Sequence, residues 1–132
     1  MRYIPPAELP HVWEAVERGL NRILELCPDY WIPRDVKRHL YQGRCFLYFS
    51  DQGFFIVERC NEIFSGSPFL NVWVIYFQPG EGEKLKHQII EQLDALKAQT
   101  FSEWIQFTSP RKAWGRAMDG LFEEYATIWR RK

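Results

Sequence analysis

Residues Phe69 to Leu96 read FLNVWVIYFQPGEGEKLKHQIIEQLDAL, and this stretch decides the fold. Leu70 to Phe77 is nearly all apolar, as a strand buried on both faces must be. Gln78-Pro79-Gly80-Glu81-Gly82 stops it, because proline and glycine break a ladder and set up a turn. From Glu83 to Gln99 the period changes, and Leu85, Ile89, Ile90, Leu93 and Leu96 fall on one face of a helix. A strand that feeds a glycine-containing turn and opens a helix aims several backbone N–H groups at one point. That arrangement holds pyrophosphate in many proteins, and an ordinary strand-to-helix turn looks the same in sequence.

Upstream, Cys45 to Ser50 and Phe54 to Cys60 are strands joined by Asp51-Gln52-Gly53, a hairpin. Ser65-Gly66-Ser67-Pro68 is a loop. A first helix starts at Ala7 or His11 and runs to Leu26, with Val12, Trp13, Val16, Leu20, Ile23 and Leu24 at helical spacing. Cys27-Pro28-Asp29 ends it. A second helix opens on Pro33 and stops at Gly43. Arg2-Tyr3-Ile4 is a short strand before Pro5-Pro6.

Downstream, Phe101 to Thr108 is a strand, and Ser109-Pro110 caps a fourth helix whose apolar residues are Ala113, Trp114, Ala117, Met118 and Leu121. Glu123 to Arg130 is a last strand. The order β-α-α-β-β-β-α-β-α-β predicts one α/β (α+β) domain over residues 1–132. Its single mixed, mostly antiparallel sheet has about six strands, with helices on both faces.

The chain has 132 residues, and 17 basic side chains balance 17 acidic ones. No global field draws it to nucleic acid or to a membrane surface, and no run of about 18 apolar residues predicts a membrane span. Its three cysteines, Cys27, Cys45 and Cys60, are odd in number and widely spaced. They point to buried thiols in a reducing cytoplasm, and to neither a disulfide framework nor a zinc site. His11, His39 and His87 are dispersed and lack a ligand-like spacing, so no metal is expected. Six Trp, six Tyr and ten Phe exceed what a core of this size needs. Such an excess predicts exposed apolar surface for self-association or partner docking.

The element order, with its glycine turn after the fourth strand, resembles the GNAT superfamily of acyl-coenzyme-A-dependent N-acyltransferases. The opening Ile4-Pro5-Pro6-Ala7-Glu8-Leu9-Pro10 is similar to that family's first strand and turn. Its pyrophosphate loop is Arg or Gln, two residues, Gly, one residue, then Gly or Ala. Gly80 and Gly82 match the small positions, while Phe77 stands at the Arg/Gln position and Gln78 falls one residue late. Pro79 removes a donor, and Glu81 and Glu83 bring negative charge that Lys84 offsets in part. The resemblance implies that Phe77, Gln78, Gly80, Glu81, Gly82, Glu83 and Lys84 form the cofactor loop, with acetyl-coenzyme A as the implied cofactor.

Catalytic members carry a Tyr about four residues before the closing Gly of the fourth helix, where it protonates the leaving thiolate. Counting back from Gly120 gives Arg116, with Ala117 beside it; neither is an acid that serves. Arg111 and Lys112 lie where such members meet the cofactor's phosphates. The pattern Arg111, Trp114, Arg116, Met118 is more similar to short GNAT-like proteins encoded by tailed phages, which are often tied to virion assembly.

Acyl transfer to an amine needs a base and an oxyanion donor. The fourth strand offers only Asn71, so Glu103 on the fifth strand and Glu58 on the third are the candidate bases. In the family, the segment between the first two helices borders the acceptor groove, which implies a lining role for Tyr30 and Trp31. Two functions follow from the resemblance. One is a relative with degenerate motifs, phage-encoded, acting through phage structural or assembly proteins in host cytoplasm or virion. The other is an active N-acetyltransferase for an amine of a small molecule or protein. A homodimer suits both.

Overall fold

A computed structural model describes residues 1–109 and 116–132. The chain starts with β1 (Arg2–Ile4), a 3-10 turn at Pro6–Glu8, and α1 (Leu9–Leu26). Then come α2 (Pro33–Tyr41), β2 (Phe46–Ser50), β3 (Gly53–Asn61), β4 (Pro68–Phe77), α3 (Gly82–Gln99) and β5 (Ile105–Phe107). The five strands form one sheet in chain order. Every neighbouring pair is antiparallel except β4 and β5, which are parallel.

The sheet is covered on both faces, as its apolar strands require. On one face, Val16 and Leu20 of α1 and Val36 and Leu40 of α2 pack on Leu47, Phe54, Ile56 and Val74. Gly19 lets α1 approach closely: a Cβ there would sit 2.9 Å from Phe54 Cζ and from Tyr76 Cδ1. On the other face, Leu85, Ile89 and Leu93 of α3 pack on Tyr48, Phe55, Val57, Leu70 and Val72. The i, i+4, i+8 spacing of those three leucine and isoleucine residues is what buries one stripe of α3.

Helix ends follow backbone chemistry. At the end of α2 the N–H of Gly43 donates to Leu40 O and that of Arg44 to His39 O, with Gly43 at φ +71°. This is a Schellman closure. The end of α3 uses the same closure without glycine: Phe101 N–H donates to Ala98 O and Ser102 N–H to Lys97 O, with Phe101 at φ +54°.

Two expectations are corrected. The fifth strand is shorter than Phe101 to Thr108, because Phe101 and Ser102 are spent closing α3 and Glu103 is held in a bend by its N–H bond to Pro68 O. Glu123 to Arg130 is not a strand: it is exposed and, among the described residues, pairs with no strand of the sheet, so the described sheet has five strands where about six were expected. Of the fourth helix, Arg116 and Ala117 are helical and Met118 to Leu121 turn, with Met118 buried. Arg111, Lys112, Ala113 and Trp114 lie outside the described residues.

Candidate functional site

The centre of the site is a β-bulge in β4. Ile56 pairs with Val74 and the next residue, Val57, pairs with Val72, so Trp73 is an extra residue facing one position of β3. The face assignment shows the consequence. Leu70 and Val72 point to the α3 side, Trp73 and Val74 both point to the α1/α2 side, and Ile75 and Phe77 return to α3. A bulge bends its strand and increases the local twist. The parallel ladder with β5 runs through Leu70–Ile105, Asn71–Gln106 and Val72–Phe107, and ends there. Among the described residues, the β4–β5 ladder therefore stops next to the residue where β4 bends.

Aromatic rings and one polar pair line the α1/α2 side of the bulge. Trp31 meets Trp73 edge-on at 5.8 Å, and His39 lies 5.4 Å from the same indole. Phe69 and Trp104 stack at 4.8 Å. Glu58 and Asn71 are directly opposite in the β3–β4 register, and Asn71 Nδ2 donates to Glu58 Oε1 at 2.7 Å. This half-buried pair is two residues from the bulge, about 7 Å along the strand. The Cys60 thiol beside it is pushed up, first by burial and then by the Glu58 carboxylate, to which it hydrogen-bonds. Burial, with Glu58 as a second cause, pushes Cys45 up to about 12. Both thiols are protonated and unreactive near neutrality.

The other sequence candidates separate from this cluster. Glu103 is exposed, and its N–H donates to Pro68 O at the far end of β4. Glu103 lies level with Pro68, three residues or about 10 Å along β4 from Asn71, and on the opposite side of β4 from Glu58, so the structure does not bring the two candidate carboxylates together. Tyr30 is exposed and Trp31 is half-buried against Trp73. The bulge itself was missed in sequence, and the only signal for it was a run apolar on both faces.

The turn after β4 is a second, separate region. Gln78 N–H donates to Gln52 O, and Glu81 N–H closes back on Gln78 O at 3.0 Å. With Pro79 and Gly80 as its central residues and Gly80 at φ +82°, this is a type II turn. It consumes the Glu81 donor, and Pro79 has none. The first turn of α3 has no side-chain cap, so the N–H groups of Gly82, Glu83 and Lys84 are the ones left at the positive end of the helix.

Among the described residues, an aromatic ring and two carboxylates stand around those donors. Phe77 covers Gly82, its ring 3.5 Å from where a Cβ would be. Glu83 is exposed on the first turn and Glu81 precedes it. Lys86, the nearest largely buried cation, is committed to Glu83 at 3.3 Å and to Ala117 O at 3.1 Å. Carboxylates at this position add repulsion for a phosphate where the helix dipole would otherwise attract it. Among the described residues no group of His, Cys, Asp and Glu is placed to hold a metal, and no helix is long and apolar enough to cross a membrane.

No family model and no curated protein matches the sequence. Solved acetyltransferases match its fold. An aminoglycoside acetyltransferase from an uncultured soil metagenomic sample superposes with a TM-score of 0.71 at 12% identity, over 99% of this chain and 93% of that one. A ribosomal-protein-alanine N-acetyltransferase from Brucella melitensis biovar Abortus 2308 gives 0.68 at 14% identity, over 92% and 94%. A Trypanosoma brucei acetyltransferase gives 0.66 at 12%, over 99% and 96%. The fold is thus that of the GNAT acetyltransferases.

Proposed function

We propose that this chain keeps the acetyltransferase fold as a scaffold, has a degenerate seat for the cofactor's phosphates, and acts through protein contacts in assembly of a tailed-phage particle. The observation that carries the reading is the first turn of α3, where Phe77 covers Gly82 and two carboxylates stand beside the free backbone donors. Arg116 and Ala117 at the position of the family's acid support the same reading. The assembly role is supported by the Arg111, Trp114, Arg116, Met118 pattern. It is also supported by Ile63, Phe64 and Phe101, large apolar side chains that stand in solvent, as docking residues do. Fractionation of particles and assembly intermediates from infected cells, followed by peptide mass spectrometry, tests it. The chain is expected to travel with a head or tail component; a chain found only among free proteins contradicts the proposal.

The bulge favours a second reading, acyl-coenzyme-A-dependent transfer to an amine. Here Glu58, held by Asn71, would take the proton from the acceptor ammonium, and Trp31 with Tyr30 would border the acceptor. The coenzyme would supply the activated acyl group as a thioester. An assay of thiol release from acetyl-coenzyme A over a panel of amines, with Glu58→Gln as control, tests it. Turnover abolished by Glu58→Gln would establish this reading in place of the first, and no turnover with any amine counts against it.

A further inference from the structure

Residues 122–131 are tied to the body of the protein at Phe122, whose N–H donates to Met118 O. Phe122 meets Phe107 of β5 edge-on at 5.0 Å, so the segment departs from the outermost strand of the sheet. Beyond it, the chain stands in solvent: Tyr125 is 96% exposed, Trp129 90% and Ile128 73%. Its one side-chain hydrogen bond among the described residues is internal, Thr127 Oγ1 to Glu124. Two aromatic residues and an isoleucine exposed together on one segment make an apolar surface of the kind that marks a docking site.

The order of residues identifies the partner. Glu123-Glu124-Tyr125-Ala126-Thr127-Ile128-Trp129-Arg130-Arg131 is complementary to itself when reversed. Laid antiparallel on a second copy with Thr127 at the centre, Glu123 faces the partner's Arg131 and Glu124 the partner's Arg130. Tyr125 then faces the partner's Trp129, Ala126 faces the partner's Ile128, and Thr127 faces the partner's Thr127. Every directly opposed pair is of a kind that stabilises antiparallel strands: opposite charges, two aromatic rings, two aliphatic groups, two threonines. A register shifted by one residue keeps no such set: it puts Glu124 against the partner's Trp129, so charge complementarity and aromatic pairing select the same alignment.

We propose that residues 123–131 are a self-pairing strand through which two copies of this chain form a two-fold symmetric dimer, with the axis at Thr127. The same patch on both copies makes the contact, as an isologous interface requires. Four aromatic side chains supply roughly 600–1,000 Å² of buried surface, which reaches only the lower limit for a specific interface. The dimer is therefore concentration-dependent. The strand expected over Glu123 to Arg130 is absent in the single chain because its partner is a second copy.

The full chain tests this by sedimentation equilibrium and by cross-linking. The residues concerned are exposed, so the variants leave the core alone. Unsubstituted protein is expected to dimerise, and Glu124→Arg, which opposes like charges at two symmetric places, is expected to weaken the dimer by about tenfold. Adding Arg130→Glu to the same chain should restore it. Mild oxidation of Thr127→Cys should give a disulfide-linked dimer faster than Ala126→Cys or Ile128→Cys, with the unsubstituted chain as background for its own three cysteines. A monomer at all concentrations overturns the proposal, and so does a dimer indifferent to charge reversal or not restored by the second change. A monomer whose residues 123–130 are protected from hydrogen exchange would instead place the strand on its own β5, and would equally overturn it.

Discussion

The bulge in β4 and the turn that follows the strand are built on different principles. At Trp73 the bulge is held by packing: Trp31 and His39 close over the indole, Val74 is in the core, and Asn71 donates to Glu58 two residues away. At Gly82 to Lys84 the backbone donors have no side-chain cap and stand beside carboxylates, and the turn before them is held by backbone bonds and by the conformation of Gly80. A bend that the core requires keeps its shape without a ligand. A phosphate seat has no such support, so its residues can change without cost to the fold. The bulge in β4 therefore speaks to the fold, and the turn is the part that speaks to cofactor use.

The comparison breaks first at Trp73. Trp73→Ala removes the ring that Trp31 and His39 cover, and should cost about 2–4 kcal/mol in denaturant unfolding, as truncation of a half-buried Trp does. A cost below about 0.5 kcal/mol, the surface range, would mean that packing does not hold the bulge. A deletion of Trp73 sharpens the point. It restores strict alternation between Val72 and Val74, so the chain should still fold with a regular β3–β4 ladder, read by amide exchange along both strands.

At the turn the expected effect is smaller. Gly80→Ala puts a side chain at φ +82° with nothing within 4 Å to clash, so the cost is the left-handed penalty alone, about 1–2 kcal/mol. Equilibrium unfolding measures it, and near-ultraviolet dichroism of the Trp31–Trp73 wall should not change. A loss well above that range would mean that the turn is tied to the core after all.

The smallest effect lies in the hairpin loop, where a carboxylate does for backbone donors what nothing does at α3. Glu62 accepts N–H bonds from Phe64 and Ser65, and these bonds to Ser65 first hold its carboxyl below the usual value of 4.5. A depressed folded value means that this contribution is fully present above about 4.5, the value for the unfolded chain. It is lost as pH falls through the lower folded value. Amide exchange at Ile63 to Gly66 should quicken over that window in the unsubstituted chain and be pH-independent, beyond intrinsic exchange, in Glu62→Gln.

The fold was largely legible because α1, α2, α3 and the β2–β3 hairpin carry one clear period each. What stayed hidden has specific causes. Phe69 to Phe77 is apolar on both faces, so a one-residue change of facing at Trp73 leaves no trace in the pattern. Phe101 ends α3 in a conformation that glycine usually supplies, which made the fifth strand read too long. Glu123 to Arg130 carries the aromatic and β-branched residues of a strand, but such residues favour a strand only where a neighbouring strand pairs with them, and composition does not show which strand that is. In the site, Phe77 and the acidic turn could be read from sequence. The partnership of Glu58 with Asn71 and the distance of Glu103 required the register.

The central claim is that the turn no longer seats a coenzyme's phosphates, and calorimetric titration of acetyl-coenzyme A into the chain tests it most directly. The account predicts no binding heat up to millimolar ligand. A dissociation constant in the micromolar range, about −8 kcal/mol, lost on Gly82→Glu in a chain that still folds, would contradict it and place a working cofactor loop at Gly80 to Lys84.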